Sequence, residues 1–367
     1  MFDFFWVPLF SLLTTALIVL LLRPVAKAGG LVDRPNSRKR HLGEVPLVGG
    51  IAVTLAVWAA SMLFMRTQGY YVALLGGLTL LALVGVIDDL KGMSPVAKLA
   101  AQLLAAILMT SWGGIYLSSL GDLFGRREIE LANWGIPLTL FAAVAVINAM
   151  NMCDGLDGLA GGLAAIVFGW FAYLAGELGN GAAQRMCIIF CGAILGFLIF
   201  NIRNPLRGKS RIFLGDAGSL MLGFSIVWFA VLLSQVQYNE HGRIPPVVML
   251  WVLGFVLIDL FTVVVRRVLK GKNPLSADRT HLHHVLLRFG MGPDAIVWVI
   301  LVSNVLLGFC GVFGWKAGLS EQTLFILFLL LALLHLMIMR VAWRFIRTGR
   351  RMLARIKGRK VLPPPEV

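Results

Sequence analysis

Long apolar runs separated by short polar segments dominate the pattern of this 367-residue chain. A helix needs about 20 apolar residues to cross the hydrocarbon core of a bilayer. The runs lack the alternation of barrel strands, and backbone groups cannot stay unsatisfied in lipid, so the pattern predicts helices. Eleven spans are predicted: Phe4–Leu22, Leu47–Met65, Tyr70–Ile87, Val96–Trp112, Ile136–Ala149, Gly158–Ala175, Ala183–Phe200, Gly218–Leu233, Pro246–Val265, Ala295–Trp315 and Thr323–Ala342.

Composition agrees with an all-α polytopic membrane protein: the chain is 59% hydrophobic and 14% charged, with a mean hydropathy of +0.85. Basic residues set the orientation of such a chain. An N-terminus in the periplasm and a C-terminus in the cytoplasm leave few of the 33 Lys and Arg residues outside, namely Arg66, Arg126, Arg127, Arg185, Arg243 and Lys316. We expect one transmembrane catalytic domain, residues 1–342, and a basic, proline-ending cytoplasmic tail, residues 343–367.

Two other interpretations of the composition are weaker. The first span resembles a signal peptide, because Ala26-Lys27-Ala28 imitates a cleavage site, but no basic residue precedes it and Arg23 follows it. The net charge of +15 suggests nucleic-acid binding. Basic cytoplasmic loops already explain that charge, so no nucleic-acid partner is expected. The four cysteines show neither metal nor disulfide spacing.

Under this topology, four polar segments lie at the cytoplasmic mouths of the helices. They are Asp88-Asp89-Leu90-Lys91, the segment Asn148–Gly158, the segment Phe213–Ser219 and His281-Leu-His283-His284. The sixth and eighth spans begin on this side, so their free N–H groups and positive dipole ends point into one aqueous cleft. Such helix ends favour phosphate, and we therefore predict an active site at the cytoplasmic face.

The acidic residues in these segments each have a structural alternative. Adjacent carboxylates such as Asp88 and Asp89 repel one another unless a cation offsets them. Mg²⁺ prefers one or two carboxylates together with phosphate oxygens, so Asn151 and Asp216 with a pyrophosphate would suit it. The alternative is that three aspartates only cap or solvate helix starts: Asp154, Asp157 and Asp216.

The histidine-rich segment also allows more than one interpretation. Zinc would need further ligands at zinc-like spacing, and the sequence offers none. The stripe of Leu282, Val285, Leu286 and Phe289 is typical of an amphipathic interfacial helix. Asp259 lies inside the ninth span and is a functional candidate by position, or it only pairs with a basic neighbour such as Arg266 or Arg267.

Together with Pro46-Leu-Val-Gly49-Gly50, the four segments resemble the polyprenyl-phosphate N-acetylhexosamine-1-phosphate transferase superfamily over essentially the whole chain. The branch that uses muramyl pentapeptide usually carries three consecutive histidines. The His281-Leu-His283-His284 order differs from that pattern and is similar to the branch that transfers N-acetylglucosamine 1-phosphate to undecaprenyl phosphate.

The resemblance implies a multi-pass enzyme of the bacterial inner membrane, in the first membrane step of O-antigen or related polysaccharide synthesis. It would transfer N-acetylglucosamine 1-phosphate from UDP-N-acetylglucosamine to undecaprenyl phosphate and release UMP, with Mg²⁺ or Mn²⁺ as cofactor. By motif matching, the resemblance implies catalytic roles for Asp88, Asp89, His281, His283 and His284. It implies substrate binding by Lys91, Asp154, Asp157 and Phe213, with Phe213 stacking on uracil, and metal binding by Asp216 and Asn151.

Several alternatives stay open at this point. Another UDP-sugar could be the donor, such as a modified deoxyhexosamine or the muramyl pentapeptide. A secondary transporter would place its polar residues near the midplane, whereas here they gather at one face. Direct attack by the lipid phosphate is favoured, with a covalent aspartyl intermediate as the alternative. The expected partners are undecaprenyl phosphate, the UDP-sugar and membrane lipid, with a homodimer left open.

Overall fold

A computed structural model of the chain describes residues 2–34, 43–65, 69–203, 212–236, 242–271 and 281–356, without the side chains of 2–4 and 343–356. Arg66 and the end of the predicted tail lie outside these ranges. So do eight of the cations predicted on the cytoplasmic side, namely Arg38, Lys39, Arg40, Arg207, Lys209, Arg211, Lys272 and Arg279.

Helices make up most of the described chain. In order they are α1 (Phe2–Ala28), α2 (Gly49–Phe64), α3 (Gly69–Lys91), α4 (Pro95–Ile107), α5 (Gly135–Cys153), α6 (Leu159–Glu177), α7 (Gly181–Asn201), α8 (Gly215–Gln235), α9 (Pro246–Val252), α10 (Gly254–Val268), α11 (Leu282–Arg288), α12 (Pro293–Lys316) and α13 (Glu321–Ile356). A π-helical turn, Leu108–Trp112, extends α4, and a 3₁₀ turn, Ala132–Trp134, precedes α5. Two short strands, β1 (Val32–Asp33) and β2 (Val45–Pro46), pair antiparallel.

The all-α polytopic class is confirmed, since each predicted span overlaps a helix. Among the described residues, nine helices are long and apolar enough to cross a membrane, or ten if α9 and α10 form one bent span. The second predicted span corresponds to α2, which has only 16 residues. The count of eleven and the orientation of the termini stay predictions. The helix α13 continues into the region predicted as a tail.

The helix α8 forms the centre of the bundle. Every residue from Ala217 to Ser234 is buried, and α8 packs against α2, α3, α5 and α6. A helix that is apolar on all sides is stable only where other elements surround it. Asp216, in the first turn of α8, is partly exposed. The position of α8 therefore determines where that carboxylate lies.

Small residues let α2 and α3 approach the start of α8 at backbone distance. A Cβ added to Gly50 would lie 2.1 Å from the nitrogen of Gly218, and one added to Gly85 would lie 2.2 Å from the nitrogen of Ala217. Close approach through small residues is a common way for membrane helices to pack, because lipid gives them no hydrophobic driving force. These contacts hold the end of α3, with its two aspartates, against the first turn of α8.

A sharp break separates α9 from α10, which meet at an angle of 85°. Such a break frees backbone groups that lipid cannot satisfy. Asn304 of α12 supplies the partners: its Oδ1 accepts the N–H of Phe255 at 3.1 Å, and its Nδ2 donates to the carbonyl of Val252 at 3.4 Å. Asn304 is fully buried. This one amide therefore stabilises the bend that directs α10 toward the site.

We expect Asn304→Leu to destabilise the protein, because it leaves a buried N–H and a buried C=O without partners at the break. The cost should be about 1–3 kcal/mol, seen as a lower midpoint of thermal unfolding in detergent. The control is Ser303→Ala, since the Ser303 hydroxyl donates to the Val299 carbonyl one turn earlier in its own helix. Equal midpoints for the two variants would contradict the role given to Asn304.

Candidate active site

Three carboxylates converge where α3 ends and α4 and α8 begin. Lys98, in the first turns of α4, joins two of them: its ammonium is ion-paired with Oδ2 of Asp88 and lies 2.9 Å from Oδ2 of Asp216. Ser94 caps α4 by accepting the N–H of Ala97, which fixes where this helix begins. We call Asp88, Asp89 and Asp216 the carboxylate cluster. Asp88 and Asp216, which are more than a hundred residues apart in sequence, thus contact the same ammonium group.

Asp89 is bound to the start of α8. Its Oδ1 accepts the backbone N–H of Asp216 at 3.2 Å, so a carboxylate from another helix satisfies one of the free N–H groups there. Its Oδ2 is buried and has no hydrogen-bond partner among the described residues. Gly215 has a φ of +73°, and a Cβ there would lie 2.5 Å from this oxygen. Glycine at 215 therefore provides both the turn and the room for Asp89.

Asn151 brings the end of α5 into contact with the carboxylate cluster. Its Nδ2 donates to Oδ1 of Asp216 at 2.9 Å and to Oγ of Ser219 at 2.8 Å. One turn earlier, Asn148 exchanges hydrogen bonds with Gln102 of α4. The predicted pair of metal ligands, Asn151 and Asp216, is thus adjacent in space, and polar contacts tie α4, α5 and α8 together at this end.

The segment Asp154–Gly158, which we call the acidic loop, leads from α5 into α6. Oδ2 of Asp157 accepts a hydrogen bond from Nε of Arg203 at 2.8 Å. Asp157 does not cap α6: its N-cap is Gly158, with a φ of +83° and no capping side chain. Asn201 of α7 accepts the N–H of Gly158 and donates to the carbonyl of Ile212. This amide therefore links the acidic loop to the segment that enters α8.

The segment His281–His284, which we call the histidine segment, packs against the acidic loop. Nε2 of His283 would lie 2.9 Å from a Cβ placed on Gly155, so glycine there makes room for the imidazole. Burial lowers the pKa of His283 to about 3, and the charge of neighbouring His284 acts in the same direction. His283 is therefore neutral at pH 7. His281 and His283 are buried, whereas His284 is partly exposed.

Asp259 of α10 lies beneath this segment. A pair with Arg266 or Arg267 was one of two interpretations of this acid, and the hydrogen bonds that the structure gives it are to the histidine segment. Its Oδ2 lies 2.7 Å from Nδ1 of His281, and its Oδ1 accepts the N–H of Leu282 at 3.0 Å. Both oxygens therefore hold the histidine segment.

The two remaining predicted residues lie at the edges of the site. Phe213 is partly buried; its N–H donates to the carbonyl of Pro46, and its own carbonyl accepts the N–H of Gly49. The Pro46–Gly50 motif is thus a backbone support for the start of α8. Lys91, at the end of α3, is exposed, and the structure records no ion pair for it within the described residues. Lys91 is the last residue of α3, the helix that also carries Asp88 and Asp89.

The carboxylate cluster suits a hard cation better than a structural zinc ion. Among the described residues, no three His, Cys, Asp or Glu side chains come close enough together to hold an ion unaided. However, Lys98 pairs with Asp88 and Asp216, two of the three carboxylates, and one positive charge does not balance three negative charges. An oxygen-rich site with excess negative charge and a partnerless Asp89 oxygen fits Mg²⁺ or Mn²⁺ that receives its other ligands from phosphate and water.

Three residues of this site were not predicted from the sequence: Lys98, Arg203 and Asn201. Lys98 lies within the fourth predicted span, Val96–Trp112, and was not assigned to the site, although a cation in a span needs a partner and the acidic segments are predicted on the same side. Arg203 was counted only as a cytoplasmic charge. Asn201 ends the apolar run of α7, and no signal pointed to its bonds with Gly158 and Ile212.

Comparison with known proteins agrees with the motifs. The model of "Glycosyl transferase family 4" matches residues 71–234, which include the carboxylate cluster and the acidic loop. The undecaprenyl-phosphate alpha-N-acetylglucosaminyl 1-phosphate transferase of Yersinia pestis is 37% identical over 336 residues, 91% of both chains. The Escherichia coli K12 enzyme of that name is 36% identical over 353 residues, 94% of both chains. That of Haemophilus influenzae is 35% identical over 345 residues, 94% of this chain and 96% of its own.

Apolar helices and relatives of this kind confirm a multi-pass protein of the bacterial inner membrane. The predicted family is likewise confirmed by relatives matched along almost the whole length. The chain belongs to glycosyl transferase family 4, as a sugar-1-phosphate transferase.

Proposed function

We propose that this chain transfers N-acetylglucosamine 1-phosphate from UDP-N-acetylglucosamine to undecaprenyl phosphate, giving undecaprenyl-pyrophosphate-N-acetylglucosamine and UMP. The observation that carries the proposal is the sharing of Lys98 by Asp88 and Asp216, next to Asp89 and Asn151, at one end of the helix bundle. The relatives' names supply the acceptor and the sugar. A role in O-antigen or related polysaccharide synthesis follows from the product and is part of the proposal.

The reaction forms one bond and breaks one. An oxygen of the lipid phosphate attacks the phosphorus that carries the sugar, and the bond from that phosphorus to the oxygen of UMP breaks. The proton of the lipid phosphate passes to a carboxylate. We assign this role to Asp88, as the motif resemblance implies. The N–H of Met93 donates to its Oδ1 at 2.6 Å and Lys98 is ion-paired with its Oδ2, so this carboxylate is fixed at the end of α3 beside Asp216. We favour this single displacement, since positioning and charge neutralisation supply most of the catalysis in phosphoryl transfer.

Lys98 is proposed to contribute positive charge beside the reacting phosphates. Two phosphate-bearing substrates bring several negative charges to a cluster that is already acidic. An ammonium held between Asp88 and Asp216 is fixed in place before the substrates arrive, so little reorganisation is needed when charge moves onto the leaving UMP.

A divalent ion would be held by Asp216 and Asn151, with Asp89 close by. When bound, Mg²⁺ or Mn²⁺ would act as a Lewis acid on phosphate oxygens and orient the two substrates. Asn151 would use its carbonyl oxygen for this, since its Nδ2 faces Asp216 and Ser219.

The nucleotide is proposed to lie over the acidic loop. Asp154 and Asp157 of this loop would bind the nucleotide, and Phe213 is proposed to stack on uracil. Of the histidines, His284 is the best placed to contact a phosphate, because it is partly exposed while its neighbours are buried. His281 and His283 then support the segment from inside. Lys91, exposed at the end of α3, would attract the lipid phosphate by charge.

The direct test is purified protein with undecaprenyl phosphate, offered a panel of UDP-sugars, with released UMP and radiolabelled lipid product measured together. We expect UDP-N-acetylglucosamine to give both products in equal amounts. If turnover occurs only with a deoxyhexosamine or a muramyl-pentapeptide donor, that donor and not UDP-N-acetylglucosamine is the substrate. Inactivity with every donor would reject the transferase proposal and favour a non-enzymatic function.

We also expect EDTA to stop turnover, because the carboxylate cluster carries more negative charge than Lys98 balances. Addition of Mg²⁺ or Mn²⁺ in excess should restore the rate, and Ca²⁺ should restore it poorly, since it prefers more ligands and longer bonds. The measurement is UMP release before and after dialysis against chelator. Undiminished turnover in EDTA would exclude an essential exchangeable ion.

A further inference from the structure

Asp259 is a buried acid that the proposed chemistry does not use. It is 2% exposed, inside a helix that begins at the break after α9. A buried carboxylate is costly unless it is paired and hydrogen-bonded. Both of its oxygens are engaged by the histidine segment, one by Nδ1 of His281 at 2.7 Å and the other by the N–H of Leu282 at 3.0 Å. α10 thus holds that segment through two adjacent residues.

The histidine segment in turn rests on the acidic loop. The His281 and His283 rings are nearly parallel, with 14° between their planes and 5.9 Å between their centroids. Nε2 of His283 faces Gly155. The Nε2 atoms of both rings are buried without a hydrogen-bond partner among the described residues. Within the described residues, neither ring is therefore held through Nε2. The polar contact that holds the His281 ring is the one between its Nδ1 and Asp259.

A polar residue of α10 near Asp259 is hydrogen-bonded to a histidine of α13. The hydroxyl of Thr262, three residues after Asp259, lies 2.8 Å from Nδ1 of His335. His335 is within electrostatic range of Asp259, as is Cys153 at the end of α5. Thr262 therefore offers a matched control: it is buried on the same helix, hydrogen-bonded to a histidine, and has no recorded bond to the histidine segment.

We propose that Asp259 is a positioning residue that fixes the ring of His281 and, through Leu282, the place of the histidine segment over the acidic loop. A carboxylate can only accept, so it requires the hydrogen of His281 to be on Nδ1 and leaves Nε2 directed away from Asp259. The kinetic effect expected from this role rests on the proposed function, because it is measured as sugar-phosphate transfer. The proposal predicts that Asp259 supports the UDP-sugar side of the reaction and not the lipid side.

The test compares Asp259→Asn, Asp259→Ala and Thr262→Val as purified full-length proteins. Asparagine keeps an acceptor for the Leu282 N–H, but its amide donates to His281 and shifts the ring hydrogen to Nε2. We expect kcat/KM for UDP-N-acetylglucosamine to fall about 100-fold in Asp259→Asn, with KM for undecaprenyl phosphate nearly unchanged. Thr262→Val should retain wild-type kinetics. Full activity of Asp259→Asn, or an equal loss on both substrates, would overturn the proposal.

A double-mutant cycle separates positioning from a general loss of stability. If Asp259 acts through His281, adding Asp259→Asn to His281→Ala should lower the rate by no more than about threefold beyond His281→Ala alone. If the loss of rate in the double variant instead equals the product of the losses in Asp259→Asn and His281→Ala, Asp259 acts independently of His281. That result would contradict the inference.

Hydrogen exchange tests the anchor without any turnover. Amide exchange of a peptide covering Leu282–Arg288 should be faster in Asp259→Ala than in wild type, near the wild-type rate in Asp259→Asn, and unchanged in Thr262→Val. This measurement stands even if wild type fails to transfer any sugar phosphate, so failure of the proposed function and failure of the anchor give different results. Unchanged exchange in Asp259→Ala would refute the anchor.

Discussion

Asp216→Asn is expected to lower the rate of transfer about 1,000-fold, the largest loss of any single substitution in this chain. Both oxygens of Asp216 are in use: Oδ1 accepts from Asn151 and Oδ2 faces the ammonium of Lys98. An amide cannot accept at both positions, so one donor would face another donor. The substitution also removes the charge on which cation binding depends. Asp88→Asn should cause a comparable loss, because it removes the proposed proton acceptor.

The measurement is UMP release under saturating substrates, beside the thermal midpoint of each variant. Asp294→Asn is the matched control, since Asp294 is also an acid in the first turn of a helix but is exposed and away from the carboxylate cluster. We expect Asp294→Asn to keep its activity. Near-normal turnover by a folded Asp216→Asn protein would remove Asp216 from the proposed machinery.

The sequence was sufficient to predict the helices and the place where the acids gather. Spans of this length and apolarity have no alternative to helix in lipid, and the alternation of span directions sends Asp88 and Asp216 to one side. The structure brings the two together on Lys98. The 16-residue α2 and the break at Leu253 could not be foreseen, because they depend on close packing around α8 and on Asn304, which lies on another helix.

Partners of individual polar residues were the least predictable feature. For Asp259, the alternative to a functional role was a pair with Arg266 or Arg267, which are near in sequence on the same helix. Its recorded bonds are to His281 and Leu282, more than twenty residues further on. Sequence distance favours local pairs, whereas burial favours whichever group can satisfy both oxygens of a carboxylate at once. The same reason explains why Arg203 was not connected with Asp157.

Different elements hold the two parts of the site, which suits the two unlike substrates of the proposed reaction. Asp89, Gly215 and the backbone pairing of Phe213 fix the start of α8 within the bundle. The proposed nucleotide side consists of the acidic loop and the histidine segment, which contact each other through Gly155 and His283. Changes in α8 should therefore affect both substrates, whereas changes in the histidine segment should affect the donor.

Lys98→Met is expected to be the most damaging substitution after those of Asp216 and Asp88, with a loss of about 100- to 1,000-fold in the rate of transfer. Methionine preserves the length of the side chain and removes its charge. Asp88 and Asp216 would then face each other and the incoming phosphates without the recorded ammonium between them. Arginine should restore little, because its planar guanidinium does not replace a compact ammonium between two carboxylates.

Two measurements distinguish this effect from misfolding. Lys27→Met removes an exposed cation at the end of α1 and should leave the rate unchanged. The Mg²⁺ concentration that supports half-maximal residual activity should fall in Lys98→Met, because the ammonium no longer competes for Asp216. A Lys98→Met protein with full activity, or one that needs more Mg²⁺ than wild type, would show that Lys98 does not share the neutralisation of the carboxylate cluster with the ion.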